Sequence, residues 1–275
     1  MDLVRSAPCR RMRMLVFEAV GLSDQGKVRE NNEDAFYVAT DRSREDIEDL
    51  GFLVIVADGM GGHAHGEIAS RMTTEVIRDF FFQGHPEDPE RRLVAAIQAA
   101  HEQILEWTRQ NQECRGMGTT VTAAAFHEDT LYWAHVGDSR LYLLRGGRLT
   151  QVSEDHTFLA LLKRHGAVFS REKGTSASLY RALGHGGLRM EVDRGRLAMQ
   201  HGDRILLTTD GVTDMVDERR LRMLLAISNL EEAARSIVAA GLDEGGFDNI
   251  TVVIGEIVKE DSQGAITQPM SEPLT

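Results

Sequence analysis

The chain has 275 residues, of which 42% are hydrophobic and 27% are charged, as in a soluble globular protein with one large domain or two small ones. Its formal net charge of −12 argues against a nucleic-acid partner. No apolar run is long enough for a membrane span, and two cysteines, Cys9 and Cys114, cannot build a disulfide framework. We therefore expect a cytoplasmic protein with reduced thiols and no membrane insertion.

The N-terminal half predicts three strands followed by two helices. Residues 1–13 are basic and lack the apolar core of a signal peptide, so we expect a flexible arm. Strands are predicted over 14–20, 35–40 and 52–57. A polar loop follows the first strand, and the charged residues 41–51 predict a hairpin-like connection after the second. Helices with one apolar face are predicted over 67–82 and 90–112.

The C-terminal half begins with a change to β-like periodicity at Gly118. Short strands are predicted over 118–126, 131–136, 140–145 and 148–152, with a two-glycine hairpin turn between the last two. A short helix over 157–165 precedes an irregular stretch over 166–188. Strands within 193–209, helices over 212–223 and 230–240, and a closing strand over 250–257 follow. Residues 259–275 are polar and predict a disordered tail.

The order of these elements predicts the fold class. Strands come in hairpin-spaced groups and helices in two separate blocks, which favours an α+β sandwich of antiparallel sheets with helices on the outer faces. A doubly wound parallel sheet would alternate strand and helix throughout. No linker interrupts residues 14–258, so we expect a single domain there.

Asp58 is the first candidate site residue. It follows the apolar run Phe52–Ala57 and precedes Gly59, Gly61 and Gly62. A carboxylate at the end of a buried strand is costly unless it is paired or binds a cation, and glycines let backbone carbonyls approach a ligand. Alternatively, Asp58 caps the helix that follows.

The same arrangement recurs at four further predicted strand ends. They present Glu33 with Asp34, Asp138, Asp210 and Asp248. If the ends converge, the carboxylates cannot all remain ionised without cations between them. A ligand set made only of oxygen suits Mg²⁺ or Mn²⁺ rather than zinc.

Together with other motifs, these residues resemble the metal-dependent serine/threonine protein phosphatases of the PP2C (PPM) family, in the bacterial form. The motifs, in the order of the family across residues 17–257, are Arg29–Asp34, Val56–His63, Gly118–Thr120, Val136–Arg140, Glu154–His156, Arg181–Gly184, Thr209–Gly211 with Asp214, and Asp248–Thr251. The resemblance implies a four-layer α/β/β/α sandwich of two antiparallel sheets flanked by helices.

The resemblance also implies the chemistry. It predicts hydrolysis of phosphoserine and phosphothreonine on proteins, through a hydroxide that bridges two Mn²⁺ or Mg²⁺ ions and attacks phosphorus in line with the leaving alkoxide. Phosphorylated proteins, the products of a cognate bacterial serine/threonine kinase, are the expected partners. A monomer is expected.

Site roles are carried over from the family by motif. Asp58 would bridge both metals, the Gly59 carbonyl would bind one, and Asp210 and Asp248 would bind the other. Glu33 and Asp34 would hold the pair from the opposite side, directly or through waters.

Two further residues complete the implied site. Asp138, with Asp210, resembles the acid that holds a third, weaker metal; alternatively it caps a turn. Arg29 resembles the arginine that binds substrate phosphate, for which a guanidinium fork is suited. Otherwise Arg29 is a surface cation.

Several neighbours are expected to act in support. Asp214 could share a helix face with Asp210, but an acid in the first turn of a helix is the favoured interpretation. Asn249 is expected to order its loop, and Asp155 with His156 is expected to be structural or to support the site residues.

The general acid is left unassigned by the sequence. Some family members carry a histidine directly after the Asp-Gly pair, whereas this chain has Met60. We expect His63 to order the loop, with a metal-bound water as the acid. Residues 166–182 coincide with the family's flap, a variable segment beside the site, and are expected to influence substrate selection.

Two other functions stay open. A catalytically silent signalling module with this fold would have lost some acids, and all of the motif acids are present. A metal-dependent phosphatase for non-protein phosphoesters is separated from a protein phosphatase by comparing phosphopeptides with small phosphoesters.

Overall fold

The computed structural model describes residues 15–60, 65–83, 88–166, 178–185, 188 and 190–259. The expected N-terminal arm, His63, most of the expected flap and the tail after Lys259 lie outside the described residues. Among the described helices, none is long and apolar enough to cross a membrane.

Eleven strands and seven α-helices make up the described part of the fold. The strands are β1 (Leu15–Asp24), β2 (Asp34–Val38), β3 (Phe52–Met60), β4 (Gly118–Thr119), β5 (Val121–His127), β6 (Thr130–Val136), β7 (Arg140–Arg145), β8 (Arg148–Gln151), β9 (Asp193–Ala198), β10 (Arg204–Thr208) and β11 (Ile250–Lys259). The helices are α1 (Arg44–Leu50), α2 (Gly66–Gln83), α3 (Pro89–Gln110), α4 (Phe158–Arg164), α5 (Asp210–Thr213), α6 (Glu218–Leu225) and α7 (Leu230–Asp243).

The strands form two sheets in which neighbouring strands are antiparallel. One has the order β1-β11-β10-β7-β8, and the other has the order β2-β3-β5-β6-β9, with β4 paired to β3.

Alternation along β3 separates two apolar cores. Val54 and Val56 are fully buried in the core between the sheets. Leu53 and Ile55 are equally buried, but they pack in the core that contains α2 and α3. Successive side chains of a strand point to opposite faces, so β3 is covered by a sheet on one side and by helices on the other.

The other sheet has the same two-sided burial. Ile205 and Leu207 of β10 belong to the core between the sheets, whereas Leu206 packs with Leu221 of α6 and Ile237 of α7. The order of layers is therefore helices, sheet, sheet, helices, which confirms the predicted α+β four-layer sandwich.

The prediction for residues 41–51 is wrong, because they contain α1 instead of a hairpin-like connection. Ser43 caps this helix: its hydroxyl accepts a hydrogen bond from the Asp46 amide, and the Asp46 carboxylate accepts one from the Ser43 amide. This reciprocal capping stabilises a helix that has only one buried residue, Leu50.

Three other boundaries differ from the prediction. β1 continues to Asp24 through residues expected in a loop, because β11 pairs with it along its whole length. The helix predicted over 212–223 is two helices, α5 and α6, and Asp217 caps the second by accepting a hydrogen bond from the Arg220 amide. Lys259, expected to begin the tail, is the last residue of β11.

Candidate metal centre

Asp34 and Asp58 face each other across two neighbouring strands. The antiparallel register of β2 and β3 sets Asp34 opposite Asp58. The prediction that Asp58 ends its strand is wrong, because β3 continues to Met60 by pairing with β4. It does not cap the following helix either, since α2 begins only at Gly66.

Thr119 and Thr120 fix the peptide of Asp58. The Thr120 hydroxyl accepts a hydrogen bond from the Asp58 amide at 3.1 Å. The Asp58 carbonyl accepts bonds from the Thr119 hydroxyl and the Thr120 amide, both at 2.9 Å. The Thr120 hydroxyl also lies 2.6 Å from that of Ser139, beside Asp138. Sequence reasoning found this pair of threonines as a motif without giving it this role.

Asp34 has one carboxylate oxygen that suits a cation. Its Oδ2 accepts a hydrogen bond from the Thr209 hydroxyl at 2.8 Å, whereas its Oδ1 is buried without a hydrogen-bond partner. Burial raises the pKa of Asp34 to about 7; the Thr251 and Thr209 side chains oppose the rise, and the nearby Asp210 and Asp248 add to it. A buried, unpartnered oxygen among like charges is costly, and a bound cation removes that cost.

The other acids of the site interact electrostatically as well. Burial raises the pKa of Asp58 well above its ordinary value, and Asp34 and Asp210 add to the effect. Burial likewise raises the pKa of Asp138, with contributions from Asp210 and Asp214. Acids from distant segments therefore sense one another's charge in one region.

The described residues contain no group of three or more His, Cys, Asp or Glu side chains that could hold a metal ion as it stands. Carboxylates repel at short range unless a cation lies between them. Hard cations also retain several waters, so each ion needs few direct protein ligands. The available donors, carboxylate and carbonyl oxygens, are those that Mg²⁺ and Mn²⁺ prefer.

Gly59 lies where three segments meet. Its amide donates to the Glu33 carbonyl at 3.0 Å, and the Ser70 hydroxyl donates to the same oxygen at 2.6 Å. A Cβ on Gly59 would lie 2.2 Å from the Gly66 carbonyl oxygen and 2.5 Å from that of Glu33. Only glycine fits here, so the Gly59 backbone is held against the acidic loop. Burial also raises the pKa of the Glu33 carboxyl.

Asn249 connects this loop to the start of β11. Its Oδ1 accepts a hydrogen bond from the Glu33 amide at 2.8 Å, and its Nδ2 donates to the carbonyls of Gln25 at 2.8 Å and Asn31 at 2.9 Å. These three hydrogen bonds connect the side chain to the loop.

Arg29 lies at the edge of the acids. Its Nη2 donates to Asp248 Oδ2 at 2.7 Å, and the guanidinium is half exposed. Burial lowers the pKa of Arg29, but Asp248 and Asp58 outweigh this and raise it. The structure thus holds a permanent cation beside the acids, at their solvent-facing side.

Asp214 follows α5 directly, and its amide donates to the Asp210 carbonyl at 2.8 Å. It is therefore not an acid in the first turn of a helix, and that interpretation is wrong. Residues 210–213 form a single turn, and the next helix begins only at Glu218.

Asp155 and His156 hold the loop that carries Asp138. Asp155 binds Arg140 through two parallel bonds of 2.8 and 2.6 Å. His156 Nδ1 accepts a hydrogen bond from the Gly137 amide at 3.0 Å. Burial lowers the pKa of His156, and its Nε2 lies 3.1 Å from Asp193 Oδ2 and 3.0 Å from Arg181 Nη1. Both residues have the expected structural role.

The chain is similar to a known family of proteins. The family described as Protein phosphatase 2C matches residues 26–244. The serine/threonine protein phosphatase PstP of Mycobacterium tuberculosis is 35% identical over 251 residues, which are 90% of this chain and 46% of that protein. The chain thus spans about half the length of this relative. The serine/threonine phosphatase stp of Listeria welshimeri is 36% identical over 243 residues, which are 85% of this chain and 93% of that protein.

Solved structures agree. The crystal structure of the PstP catalytic domain with two manganese ions has a TM-score of 0.78 and 35% identity, covering 89% of this chain and all of that one. PppA of Pseudomonas aeruginosa has a TM-score of 0.72 and 31% identity, covering 88% of this chain and 97% of that one. The family match, the relatives and the shared fold confirm the prediction from the motifs: the chain belongs to the protein phosphatase 2C family and is similar to its bacterial members.

Proposed function

We propose that this chain hydrolyses phosphoserine and phosphothreonine on proteins with two divalent cations, Mn²⁺ or Mg²⁺. Its relatives are named as serine/threonine phosphatases, and the similar PstP domain was solved with two manganese ions. The observation that carries the proposal is the unpartnered, buried Oδ1 of Asp34, opposite Asp58 and influenced by Asp210 and Asp248.

The proposed ligands are those that the family's motifs assign. Asp58 would be shared by both ions, the Gly59 carbonyl would bind one, and Asp210 and Asp248 would bind the other. Asp34 and Glu33 bind from the opposing strand and loop. When bound, such ions neutralise charge and activate water for attack on phosphorus.

Two more residues act on the substrate side of the proposed site. Arg29 binds the phosphate oxygens, for which its exposed guanidinium is suited. Asp138 would hold a third ion together with Asp210; burial and Asp210 raise the pKa of Asp138. In this proposal His63 orders its loop and has no catalytic role.

The biological setting is part of the same proposal. Phosphorylated proteins are the substrates, and a bacterial serine/threonine kinase supplies them. The chain acts as a monomer in the cytoplasm, with the flap over 166–182 influencing which substrates it accepts.

Phosphate release from a phosphothreonine peptide tests the function, with Mn²⁺, with Mg²⁺ and with chelator. Release should require a divalent ion and fall at least a hundredfold in Asp58→Asn. Asp243→Asn, an exposed acid at the end of α7, is the matched control and should keep wild-type activity.

Folded wild-type protein that releases no phosphate with either ion would refute the proposal and favour a silent module. Release from small phosphoesters alone would favour a phosphatase for non-protein substrates.

A further inference from the structure

Two exposed apolar side chains lie directly beside site residues. Val28 precedes Arg29 and is 59% exposed, and Phe247 precedes Asp248 and is 48% exposed. Single exposed apolar residues are common on protein surfaces. These two, however, come from segments far apart in the chain and flank the residues proposed to bind phosphate and metal.

Their segments run side by side. The Lys27 amide donates to the Gly246 carbonyl at 2.8 Å, and Arg29 Nη2 donates to Asp248 Oδ2 at 2.7 Å. Val28 and Phe247 are the residues between these two contacts, so they occupy matched positions. We name this pair the apolar rim.

The rim is held in place before any ligand binds. Lys27 Nζ donates to the Leu242 carbonyl of α7 at 2.8 Å. Gly26 allows close packing of the two segments, and Gly245 leaves room for the Phe247 ring of its own segment. A Cβ on Gly26 would lie 2.2 Å from the Asp248 carbonyl oxygen, and one on Gly245 would lie 2.4 Å from the Phe247 ring. A fixed apolar surface binds a partner with a smaller entropy cost than a mobile one.

We propose that the apolar rim binds an apolar side chain next to the phosphorylated residue of a protein substrate, and so selects phosphosites with apolar neighbours. The inference rests on the proposed phosphatase function. When Arg29 holds the phosphate, the neighbouring substrate residues lie close to Arg29, because an extended chain spans only about 3.5 Å per residue. The rim is the exposed apolar surface contributed by the two segments that carry Arg29 and Asp248. Acidic neighbours would instead meet the carboxylates of the site, which repel them.

The test compares two phosphothreonine peptides that differ only at the two positions flanking the phosphothreonine, with Leu in one and Ser in the other. Wild-type kcat/KM should be about fivefold to tenfold higher for the Leu peptide. Val28→Ser with Phe247→Ser should bring this ratio close to one. Phe247→Leu with wild-type Val28 should retain most of it.

Two controls separate a specificity role from damage to the site. The kcat/KM for p-nitrophenyl phosphate, which has no flanking residues, should stay within about twofold of wild type in every rim variant. A change of about fivefold in the peptide ratio can then be assigned to the rim. Phe80→Ser removes another exposed aromatic ring, 41% exposed on α2, and should leave the Leu to Ser ratio unchanged.

Each outcome decides. Equal kcat/KM for both peptides in active wild type, or a ratio that survives loss of both rim side chains, overturns the inference while the proposed function stands. The inference is also overturned if the rim variants lose p-nitrophenyl phosphate hydrolysis to the same extent as they lose the preference for the Leu peptide, because the rim would then be structural. No hydrolysis of any substrate by wild type refutes the phosphatase function, and the inference with it.

Discussion

Replacing Asn249 with alanine should destabilise the protein and weaken its metal centre together. The side chain is 5% exposed and makes three hydrogen bonds, which join the start of β11 to the loop containing Glu33. Each bond contributes about 1 kcal/mol net, and water can satisfy some of the groups left behind. We therefore expect a loss of about 2–3 kcal/mol in the free energy of unfolding.

For a chain of this size, 1 kcal/mol shifts Tm by about 2–4 °C, so Asn249→Ala should lower Tm by about 4–12 °C in thermal unfolding. Mn²⁺ affinity should fall in parallel in a calorimetric titration, because the loop presents Glu33 and Arg29 to the site. Asn111→Ala is the matched control, since that side chain donates one hydrogen bond, to the Trp107 carbonyl at 3.0 Å. It should lower Tm by no more than about 3 °C.

A Tm for Asn249→Ala no lower than that of Asn111→Ala, with unchanged Mn²⁺ affinity, would refute this reasoning. The loop would then be held by its backbone alone. A large fall in Tm with unchanged Mn²⁺ affinity would show that the loop does not contribute to the metal centre.

Two further predictions follow from buried charges. Burial raises the pKa of Asp34 from 3.8 to about 7, so the folded protein retains a proton that the unfolded chain releases. In chelator, the free energy of unfolding in urea should therefore fall as pH rises from about 4 to 7. Asp34→Asn should make this pH dependence weaker. A free energy of unfolding that rises over the same pH range would contradict the prediction. Arg140→Lys loses one of two parallel bonds to Asp155 and should cost about 2 kcal/mol in urea unfolding. Arg109→Lys, at an exposed pair with Glu106, should leave the midpoint unchanged, and equal midpoints for the two variants would count against the Arg140 prediction.

Local periodicity was sufficient for most of the fold. Val54 and Val56 alternate with Leu53 and Ile55, and this pattern predicts a strand buried on both faces because adjacent side chains point in opposite directions. The spacing of apolar residues predicted α2 and α3 in the same way. The helix α1 was missed because its residues are mostly charged, although the Ser43–Asp46 spacing is that of a capping box.

The extent of β1 could not be predicted from its own residues. Residues 21–24 contain one apolar side chain, Leu22, yet they are in a strand because β11 supplies hydrogen-bond partners, and the Ser23 hydroxyl lies 2.7 Å from that of Thr251. A partner more than 200 positions away decides the conformation, so no local signal carries it.

The family can be identified from the sequence alone, because its motifs each place an acid, a glycine or an arginine at a fixed point in the chain. Which of these residues meet depends on the tertiary structure. It sets Asp34 opposite Asp58 through the register of two strands, and it joins Arg29 to Asp248 through the packing of two loops. It also places Asp214 directly after the single helical turn α5 and not in the first turn of a new helix. These relations depend on long-range pairing and backbone contact, whereas periodicity and spacing describe only neighbours along the chain.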